Sequence, residues 1–288
     1  NKEKALEKLL ELLDALEEAD TSRRAAQIDK DGNVTLSSEI PAGKPAAEKS
    51  AEDGTGESQP LYMSLNHVME YYIFAYYFQP ATEVRCTDIQ YGEYYRTYGQ
   101  LALSMQKYNG AKKAYERAIA WNPVDLDAYL GLAEVYKYQN QREKYLTVTK
   151  QAYRYCCTRA TMARYYRNMA FYYLSGYEPE TARACYQYSN VYYHTENADS
   201  ELKYISEAIQ QETPQTDIRA IQKLFDEKQI EPGPDSQTIG IVYKVGEMGT
   251  MDGDYKLAKD CYSIVYDITQ DASAEKLLNE LEAAIAGN

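Results

Sequence analysis

Residues 110–123 are GAKKAYERAIAWNP, with alanine at 111, tyrosine at 115, alanine at 118 and proline at 123. Intervals of three and four residues place side chains on one face of an α-helix, and the proline, which lacks a backbone N–H, ends that helix. A lone helix of this kind implies almost nothing about function, whereas a recurring helical unit indicates a binding surface. What the sequence predicts about function therefore depends on whether the pattern recurs.

The pattern recurs along residues 92–270. If residue 92 is position 1, the unit has aromatic residues among positions 4, 11 and 24 and small residues among positions 8, 20 and 27. Further copies begin at residues 126, 163, 201 and 239, and the copy at 201 matches less well. The residues at these positions, or at the proline position 32, are Tyr95, Gly99, Ala111, Tyr115, Ala118 and Pro123; Tyr129, Ala133, Tyr136 and Ala152; Tyr166, Ala170, Tyr173, Ala182 and Tyr186; Tyr204, Ala208, Ala220, Leu224 and Pro232; and Val242, Gly246, Ala258 and Tyr262.

This pattern resembles the tetratricopeptide repeat, a helix–turn–helix unit whose usual period is about 34 residues. The first two copies keep that period, and the later copies start further apart, which indicates insertions in them. The resemblance implies an all-α fold, a right-handed superhelix of antiparallel helix pairs. Its repeats would lie near residues 92–125, 126–162, 163–200, 201–238 and 239–270, with a closing helix at 272–286.

Packing physics gives each repeated position a role. Small residues at positions 8, 20 and 27 allow two antiparallel helices to approach closely, and the aromatic side chains fill the space between one pair and the next. These positions account for many of the 31 tyrosines, none of which lies in residues 1–60. We therefore predict that the tyrosines are core residues first and functional residues second.

Residues 1–60 differ in composition from the rest and are predicted to form a separate segment. Residues 1–40 contain an acidic amphipathic helix, with leucines on one stripe, and a hairpin near residues 27–36 to which we expect strand structure to be confined. Residues 41–60 hold three prolines, three glycines and no large apolar residue, which predicts a flexible linker. The repeat domain, 61–288, would begin with a helix from Leu61 to Phe78.

Inside that hairpin, the stretch QIDKDGNVTL (27–36) places Asp29, Asp31 and Gly32 as in the middle of a calcium loop. If Gly32 were the sixth loop position, Gln27 and Ser38 would occupy the first and twelfth. The first carboxylate and the closing glutamate of such a loop are therefore missing. We interpret the stretch as a turn in which Gly32 adopts a positive φ.

Charge and hydropathy restrict the partner and the compartment. The net charge is −13, divided into −6 for residues 1–60 and −7 for the rest, and an acidic chain repels the phosphate backbone of nucleic acids. The sequence contains no run of 18 or more apolar residues, so it predicts no membrane span. The five cysteines lie in apolar stretches, which predicts buried reduced thiols and a cytoplasmic location. Because the chain starts with Asn1, an upstream segment could have been removed.

Sequence motifs of catalysis are missing. The two histidines, His67 and His194, are far apart, and no CxxC or HExxH spacing predicts a zinc site. No GxSxG, GxxxxGK[ST] or GxGxxG stretch occurs. We therefore predict a non-catalytic protein without a metal or a cofactor.

The resemblance also implies where a ligand binds, because the first helices of such repeats line a concave groove that holds an extended peptide or a helix. The candidate groove residues are Arg96, Gln100, Lys137, Tyr138, Arg164, Arg167, Asn168 and Phe171. Arg96 with Gln100, and Arg164 with Asn168, stand where a subset of the family holds the carboxylate of a peptide C-terminus. The match is partial, since Gly131 stands where that subset has asparagine.

Two interpretations of these arginines stay open. They bind a ligand carboxylate through charge-assisted hydrogen bonds, or they pair with Glu93, Asp127 or Glu134 on neighbouring helices. In the first case the protein is a protein- or peptide-binding scaffold, and its ligand carries a carboxylate beside an apolar residue that rests on Phe171 or Tyr138.

A second class of function is a structural or self-assembling subunit, which would form a homo-oligomer. Its groove would be filled by its own N-terminal helix or by another copy of the chain. An enzyme is a distant third, and neither nucleic acid nor a membrane is a predicted partner.

Overall fold

The structure, a computed structural model, describes residues 2–20, 23–37 and 60–286. The predicted linker, 41–60, lies outside the described residues except for Pro60. The chain divides into two compact units, Asn1–Lys144 and Tyr145–Asn288. In chain order the elements are α1 (Lys2–Ala19), β1 (Arg23–Arg24), β2 (Ala26–Ile28), β3 (Val34–Leu36), β4 (Leu61–Met63), α2 (Val68–Phe78), β5 (Val84–Cys86), α3 (Tyr91–Ser104), α4 (Tyr108–Trp121), α5 (Leu126–Tyr138), α6 (Arg142–Tyr153), α7 (Arg159–Ser175), α8 (Pro179–Tyr192), α9 (Glu196–Ile209), α10 (Ile218–Lys228), α11 (Ser236–Asp252), α12 (Tyr255–Thr269) and α13 (Ala272–Ala286).

The first unit is built on the helix pair α3 and α4, against which α5 packs. The residues at the small and aromatic repeat positions are buried, as predicted: Tyr95, Ala111 and Ala118 are all fully covered. Trp121 closes this core at the end of α4, where its ring stacks on Tyr91 at a centroid distance of 4.5 Å. The all-α prediction therefore describes the repeat region of this unit.

Strand structure extends beyond the predicted hairpin, so the expectation of a helix from Leu61 to Phe78 is wrong. Residues Leu61–Met63 form β4, the middle strand of a parallel three-stranded sheet in the order β1-β4-β5. Leu61 and Met63 point inward and are fully buried, while Tyr62 between them is partly exposed. This alternation is the period of a strand, and the helix α2 starts only at Val68.

The hairpin itself is present. Strands β2 and β3 pair antiparallel, with Gln27 opposite Thr35. Gly32 in the turn has a φ of 89°, a conformation that glycine adopts without strain. The Asp29 carboxylate accepts hydrogen bonds from the backbone N–H of Asp31 (2.8 Å) and of Asn33 (2.9 Å). Asp29 therefore closes the turn, in agreement with the interpretation of this stretch as a turn.

The second unit is built on α7 and α8, whose closely packed faces contain Ala170 and Ala182. A cluster of aromatic rings joins this pair to α10. The ring of Tyr166 lies 4.9 Å from that of Tyr188 and 5.6 Å from that of Phe225. Further along, α11 pairs with α12, and α13 covers the outer face of α12.

The register predicted for the copy beginning at 201 is wrong. Tyr204 is 60% exposed, and Ala208 and Ala220 are exposed as well, although the pattern places all three in the core. The buried residues are Ala198 and Ile205, on α9, and Ile221 and Phe225, on α10. Both helices pack against α8, so their apolar stripes face that helix and the small-residue positions of the pattern are left on the surface.

The cysteines are only partly as predicted. Cys156, Cys185 and Cys261 are buried, whereas Cys157 is half-buried and Cys86 is exposed on β5. Cys86 lies on a strand of which two residues face solvent, and the sequence alone does not predict that strand. In the described ranges, no helix is both long and apolar enough to cross a membrane.

Candidate functional site

The candidate site residues fall into both units, and those of the first unit lie on α3 and α5. Arg96 donates from Nη1 to both carboxylate oxygens of Asp125, at 2.9 and 2.8 Å. The Asp125 side chain is 2% exposed and also accepts from the backbone N–H of Ala128, so it caps the start of α5. Burial acts to lower the pKa of Arg96, but Asp125, together with Asp127 and Glu70, outweighs burial and raises it. Arg96 is thus a charged structural partner of Asp125, and it is not free to hold a ligand.

The other candidates in the first unit are more open. Gln100 is exposed on α3, one helical turn after Arg96. Tyr138 is 61% exposed at the end of α5, and its ring stacks on that of Tyr108 at 5.5 Å. Lys137 is half-buried next to it. Tyr138 therefore presents an open aromatic surface, away from the Arg96–Asp125 pair that stabilises the start of α5.

The candidates in the second unit share one face of α7. Arg164, Arg167, Asn168 and Phe171 follow each other at intervals of three, one and three residues, which is the spacing of a single helical stripe. Asn168 is buried, and its backbone carbonyl accepts a hydrogen bond from the Tyr145 hydroxyl at 3.1 Å. The Tyr145 ring in turn packs edge-on against Phe171 at 5.4 Å. Both contacts fix the stripe in place without using its arginines.

The two arginines of this stripe bring positive charges close to each other. Nη1 of Arg167 is buried and has no hydrogen-bond partner among the described residues. Burial lowers the pKa of Arg167, and the neighbouring positive charge of Arg164 lowers it further. An unpaired buried donor costs roughly 1–3 kcal/mol, and more when it is charged. We call these two side chains the α7 arginine pair.

Contacts between glycines and tyrosines show how the helix pairs pack. A Cβ atom added to Gly99 on α3 would lie 2.9 Å from the Tyr115 ring, and one added to Gly131 on α5 would lie 2.3 Å from the same ring. In the second unit, a Cβ atom on Gly246 would lie 2.9 Å from the Tyr262 ring. In each unit, a small residue on a first helix receives the aromatic residue of position 24. The chain has a tetratricopeptide-like fold.

Comparison with other proteins gives structural similarity at low sequence identity. No protein-family model matches the sequence, and no curated protein sequence matches it. Among solved structures, the chain is similar to the APC/C hetero-tetramer Cut9–Hcn1, with 13% identity, coverage of 67% of this chain and 36% of that chain, and a TM-score of 0.37. It therefore spans about a third of that chain.

Two shorter structures are also similar. One is YrrB, a TPR protein with an unusual peptide-binding site, with 14% identity, coverage of 66% of this chain and 91% of that one, and a TM-score of 0.35. The other is PilW, a widely conserved type IV pilus biogenesis factor, with 16% identity, coverage of 69% and 94%, and a TM-score of 0.38. Similarity at this level carries no argument about the partner or the activity of this tetratricopeptide-like chain.

The N-terminal helix α1 docks on the first tetratricopeptide-like pair, at a place that the sequence does not predict. The Tyr95 hydroxyl donates to Glu17 at 2.5 Å, and Trp121 Nε1 donates to the other oxygen of Glu17 at 3.0 Å. Arg117 pairs with Asp14. Tyr95 is at repeat position 4, where side chains face the neighbouring helix pair. The helix α1 therefore takes the place of a preceding pair, and the hypothesis that it fills the groove is not supported.

A cavity of about 900 Å³ lies in the first unit between α1, the hairpin and α4. Charged residues of both signs line it, including Asp14, Asp29, Lys113, Glu116 and Arg117. Small-molecule sites are predominantly apolar with few polar groups, so this cavity does not have the composition of a ligand pocket. In the part of the chain that the structure describes, no group of three or more His, Cys, Asp or Glu side chains could hold a metal ion.

Proposed function

We propose that the protein is a non-catalytic binding scaffold and that the stripe of α7 holds its ligand. The ligand is a protein or peptide segment that carries a carboxylate, either an acidic side chain or a free C-terminus, beside an apolar residue. The carboxylate meets the α7 arginine pair, and the apolar residue rests on Phe171. Arg96, the corresponding arginine of the first unit, does not belong to this site because Asp125 holds it.

One observation carries the proposal, namely the buried Nη1 of Arg167, which has no hydrogen-bond partner among the described residues. Arg164 repels the Arg167 guanidinium from one helical turn away. Buried charges in proteins are normally paired, and a chain of net charge −13 has many acidic residues available for that purpose. Among the described residues, Nη1 of Arg183 is unpaired in the same way, but Arg167 stands beside Arg164 and Phe171 on one stripe, and this combination favours a carboxylate that arrives with the ligand.

Geometry adds the apolar half of the ligand. Phe171 is one helical turn after Arg167 on the same stripe and is partly exposed. Tyr145 supports its ring from the side, so an incoming apolar group meets an aromatic surface of fixed orientation. Arginine beside an aromatic residue is also the composition typical of interface hot spots.

The experiment compares two synthetic peptides that end in the same apolar residue, one with a free C-terminal carboxylate and one amidated. Binding is measured by isothermal titration calorimetry with the full chain. The free carboxylate should bind more tightly, and the double variant Arg164→Gln/Arg167→Gln should lose this preference while keeping its helical circular dichroism. Arg219→Gln, on the exposed surface of α10, is the matched control and should bind as the wild type does. Equal binding of the two peptides to the wild type would refute the site.

Stability separates a ligand-binding arginine from a structural one. Removing a half-buried guanidinium with one unsatisfied nitrogen relieves its desolvation cost, so Arg167→Gln should unfold at the same or a higher urea concentration than the wild type. A clear loss of stability would show that Arg167 has an internal acidic partner, and the proposal would then lose its basis.

A further inference from the structure

The contacts of α1 on the first helix pair are mainly between carboxylates and hydrogen-bond donors. Glu17 accepts from Tyr95 and Trp121, and Asp14 accepts from Arg117. One turn further on, Asp20 accepts from the hydroxyl of Tyr91 at 2.8 Å. The acidic residues 14, 17 and 20 thus form one stripe at intervals of three, along one side of the helix and the residue that follows it.

The apolar part of the same contact has two fully buried anchors. Among the side chains of α1 that the structure describes, Leu6 and Leu13 are fully buried, 4% and 1% exposed. Leu12, next to Leu13 in the sequence, is 58% exposed. Leu9, Leu10 and Leu16 are half-buried. Most of the stability of a helix in a protein comes from tertiary packing of its apolar face, so the 18 residues of α1 depend on these contacts. The docking of α1 therefore combines a leucine stripe with polar contacts for which water competes.

The surface beneath α1 is made of groups that donate hydrogen bonds. We call Tyr91, Tyr95, Arg117 and Trp121 the donor face. Burial raises the pKa values of the Tyr91 and Tyr95 hydroxyls well above the usual range, so both remain donors at physiological pH. The guanidinium of Arg117 also lies over the Tyr95 ring, 5.2 Å from its centroid, which fixes its position. Rigid aromatic donors with an arginine among them are complementary to a helix that carries carboxylates.

We infer that the donor face is a second binding surface, which accepts an acidic amphipathic helix from a partner protein, and that α1 occupies it as an intramolecular placeholder. The partner helix carries acidic residues at intervals of three beside an apolar stripe, as α1 does. Recognition is of the helix-in-groove kind, with apolar anchors flanked by charged contacts. This inference concerns a different face from the α7 stripe and does not depend on it.

The chain contains its own reporter for this exchange. Trp121 is the single tryptophan of the sequence, it is 1% exposed, and its Nε1 donates to Glu17 of α1. When α1 leaves, Trp121 meets water and its fluorescence emission shifts to longer wavelength. The probe is a synthetic peptide with the sequence of residues 2–20, titrated into full-length protein in which α1 has been weakened.

Two variants of adjacent leucines form the matched pair. Leu13→Ala removes a buried anchor, whereas Leu12→Ala removes an exposed side chain of the same size. Because a bound placeholder reduces the apparent affinity of a competitor by the fraction of open sites, the peptide should bind Leu13→Ala about tenfold or more tightly than it binds the wild type or Leu12→Ala. On binding, the emission of Trp121 should return to the wild-type wavelength.

The carboxylates are tested in the peptide itself. A peptide with Asp14→Asn and Glu17→Gln should lose most of its affinity for the Leu13→Ala protein. This loss should occur even if the peptide is as helical as the wild-type peptide. Glu17→Gln in the full chain provides a second weakened form without a cavity, and circular dichroism verifies that both forms fold.

Three results would overturn the inference. The first is that Trp121 is exposed in the Leu13→Ala protein and the wild-type peptide nevertheless does not bind to that protein. The second is equal binding of the neutralised peptide, which would show that the face does not recognise carboxylates. The third is a doubled molecular mass of the weakened variants through exchange of their own N-terminal segments, because the occupant is then a second copy of this chain.

Discussion

A single added methyl group at Gly131 tests the packing on which the fold rests. The Tyr115 ring is 2% exposed and lies between α3 and α5. A Cβ atom at Gly131 would lie 2.3 Å from two ring carbons of Tyr115, and one at Gly99, on α3, would lie 2.9 Å from the same ring. The ring cannot move away from Gly131 without approaching Gly99, so Gly131→Ala must displace a helix or force the tyrosine from its rotamer.

The magnitude follows from two opposing effects. Alanine in a helix interior is favoured over glycine by about 0.5–1 kcal/mol, while overpacking a well-packed core costs about 1–3 kcal/mol. The expected net destabilisation by Gly131→Ala is about 0.5–2 kcal/mol. Gly110→Ala, in the first turn of α4, is the control, because its nearest neighbour would be the Tyr98 hydroxyl at an ordinary 3.5 Å. The control should be neutral or slightly stabilised.

The assay is urea unfolding followed by the fluorescence of Trp121, which reports on the first unit. With a slope of about 2 kcal/mol per molar urea, the two variants should differ in midpoint by about 0.5–1.5 M. Gly99→Ala should fall between them, and its effect should not add to that of Gly131→Ala, since both act on one ring. Equal midpoints for Gly131→Ala and Gly110→Ala would refute the packing described here.

Three further predictions concern other sites. Ala111→Leu should lower the free energy of unfolding by about 1–3 kcal/mol through overpacking, and Lys113→Leu, on the exposed side of the same helix, should change it little in the same urea titration. Arg96→Ala should cost about 3 kcal/mol, because it leaves the buried carboxylate of Asp125 without a charged partner; a neutral result would show that this ion pair does not stabilise the fold. At mildly alkaline pH a thiol reagent should label Cys86 rapidly and Cys261 slowly in mass spectrometry, since burial raises the pKa of Cys261 to about 12 and the thiolate is the reactive form.

The sequence predicts the helix pairs well because their packing is local. Gly99 and Tyr115 lie within one repeat, and a close contact between two helices joined by a short turn requires this spacing of small and large residues. The prediction fails where a segment packs against something far away in sequence. The stretch that begins at Leu61 is predicted from the sequence to be a helix. Instead, the backbone N–H of Leu61 donates to the backbone carbonyl of Glu83 at 2.9 Å as part of a sheet.

The copy at residue 201 shows a different limit. This copy is assigned mainly from the spacing of its small residues. In the structure, α9 and α10 pack against α8 through the large side chains of Ile205 and Phe225. Alanines at repeat spacing are then a coincidence of composition, because alanine is common in helices of any packing. Exposed positions such as Ala208 carry no packing information, so a pattern that depends on them has no fixed register.

The candidate site was harder to predict than the fold, since the role of each arginine depends on residues in other helices. From the sequence, Glu93, Asp127 and Glu134 are the candidate acidic partners of the arginines, whereas Arg96 pairs with Asp125, which stands just before α5. The place at which α1 docks was missed for the same reason. The leucine stripe of residues 4–19 predicts a helix that packs, but its acidic stripe gives no sign of the tyrosine hydroxyls that it meets on α3.

Arg96 and Arg167 occupy the same position of two repeats, the fifth, and they differ because the next helix pair begins differently. After Arg96, the first helix of the next pair is α5, and it is capped by Asp125, a carboxylate that serves both the helix start and the arginine. After Arg167, the corresponding helix is α9, capped by the neutral Thr195, whose hydroxyl accepts from a backbone N–H but supplies no charge. Glu196, the first residue of α9, is exposed. A different capping residue thus accompanies the arginine that stabilises the fold and the one for which we propose a carboxylate from a ligand.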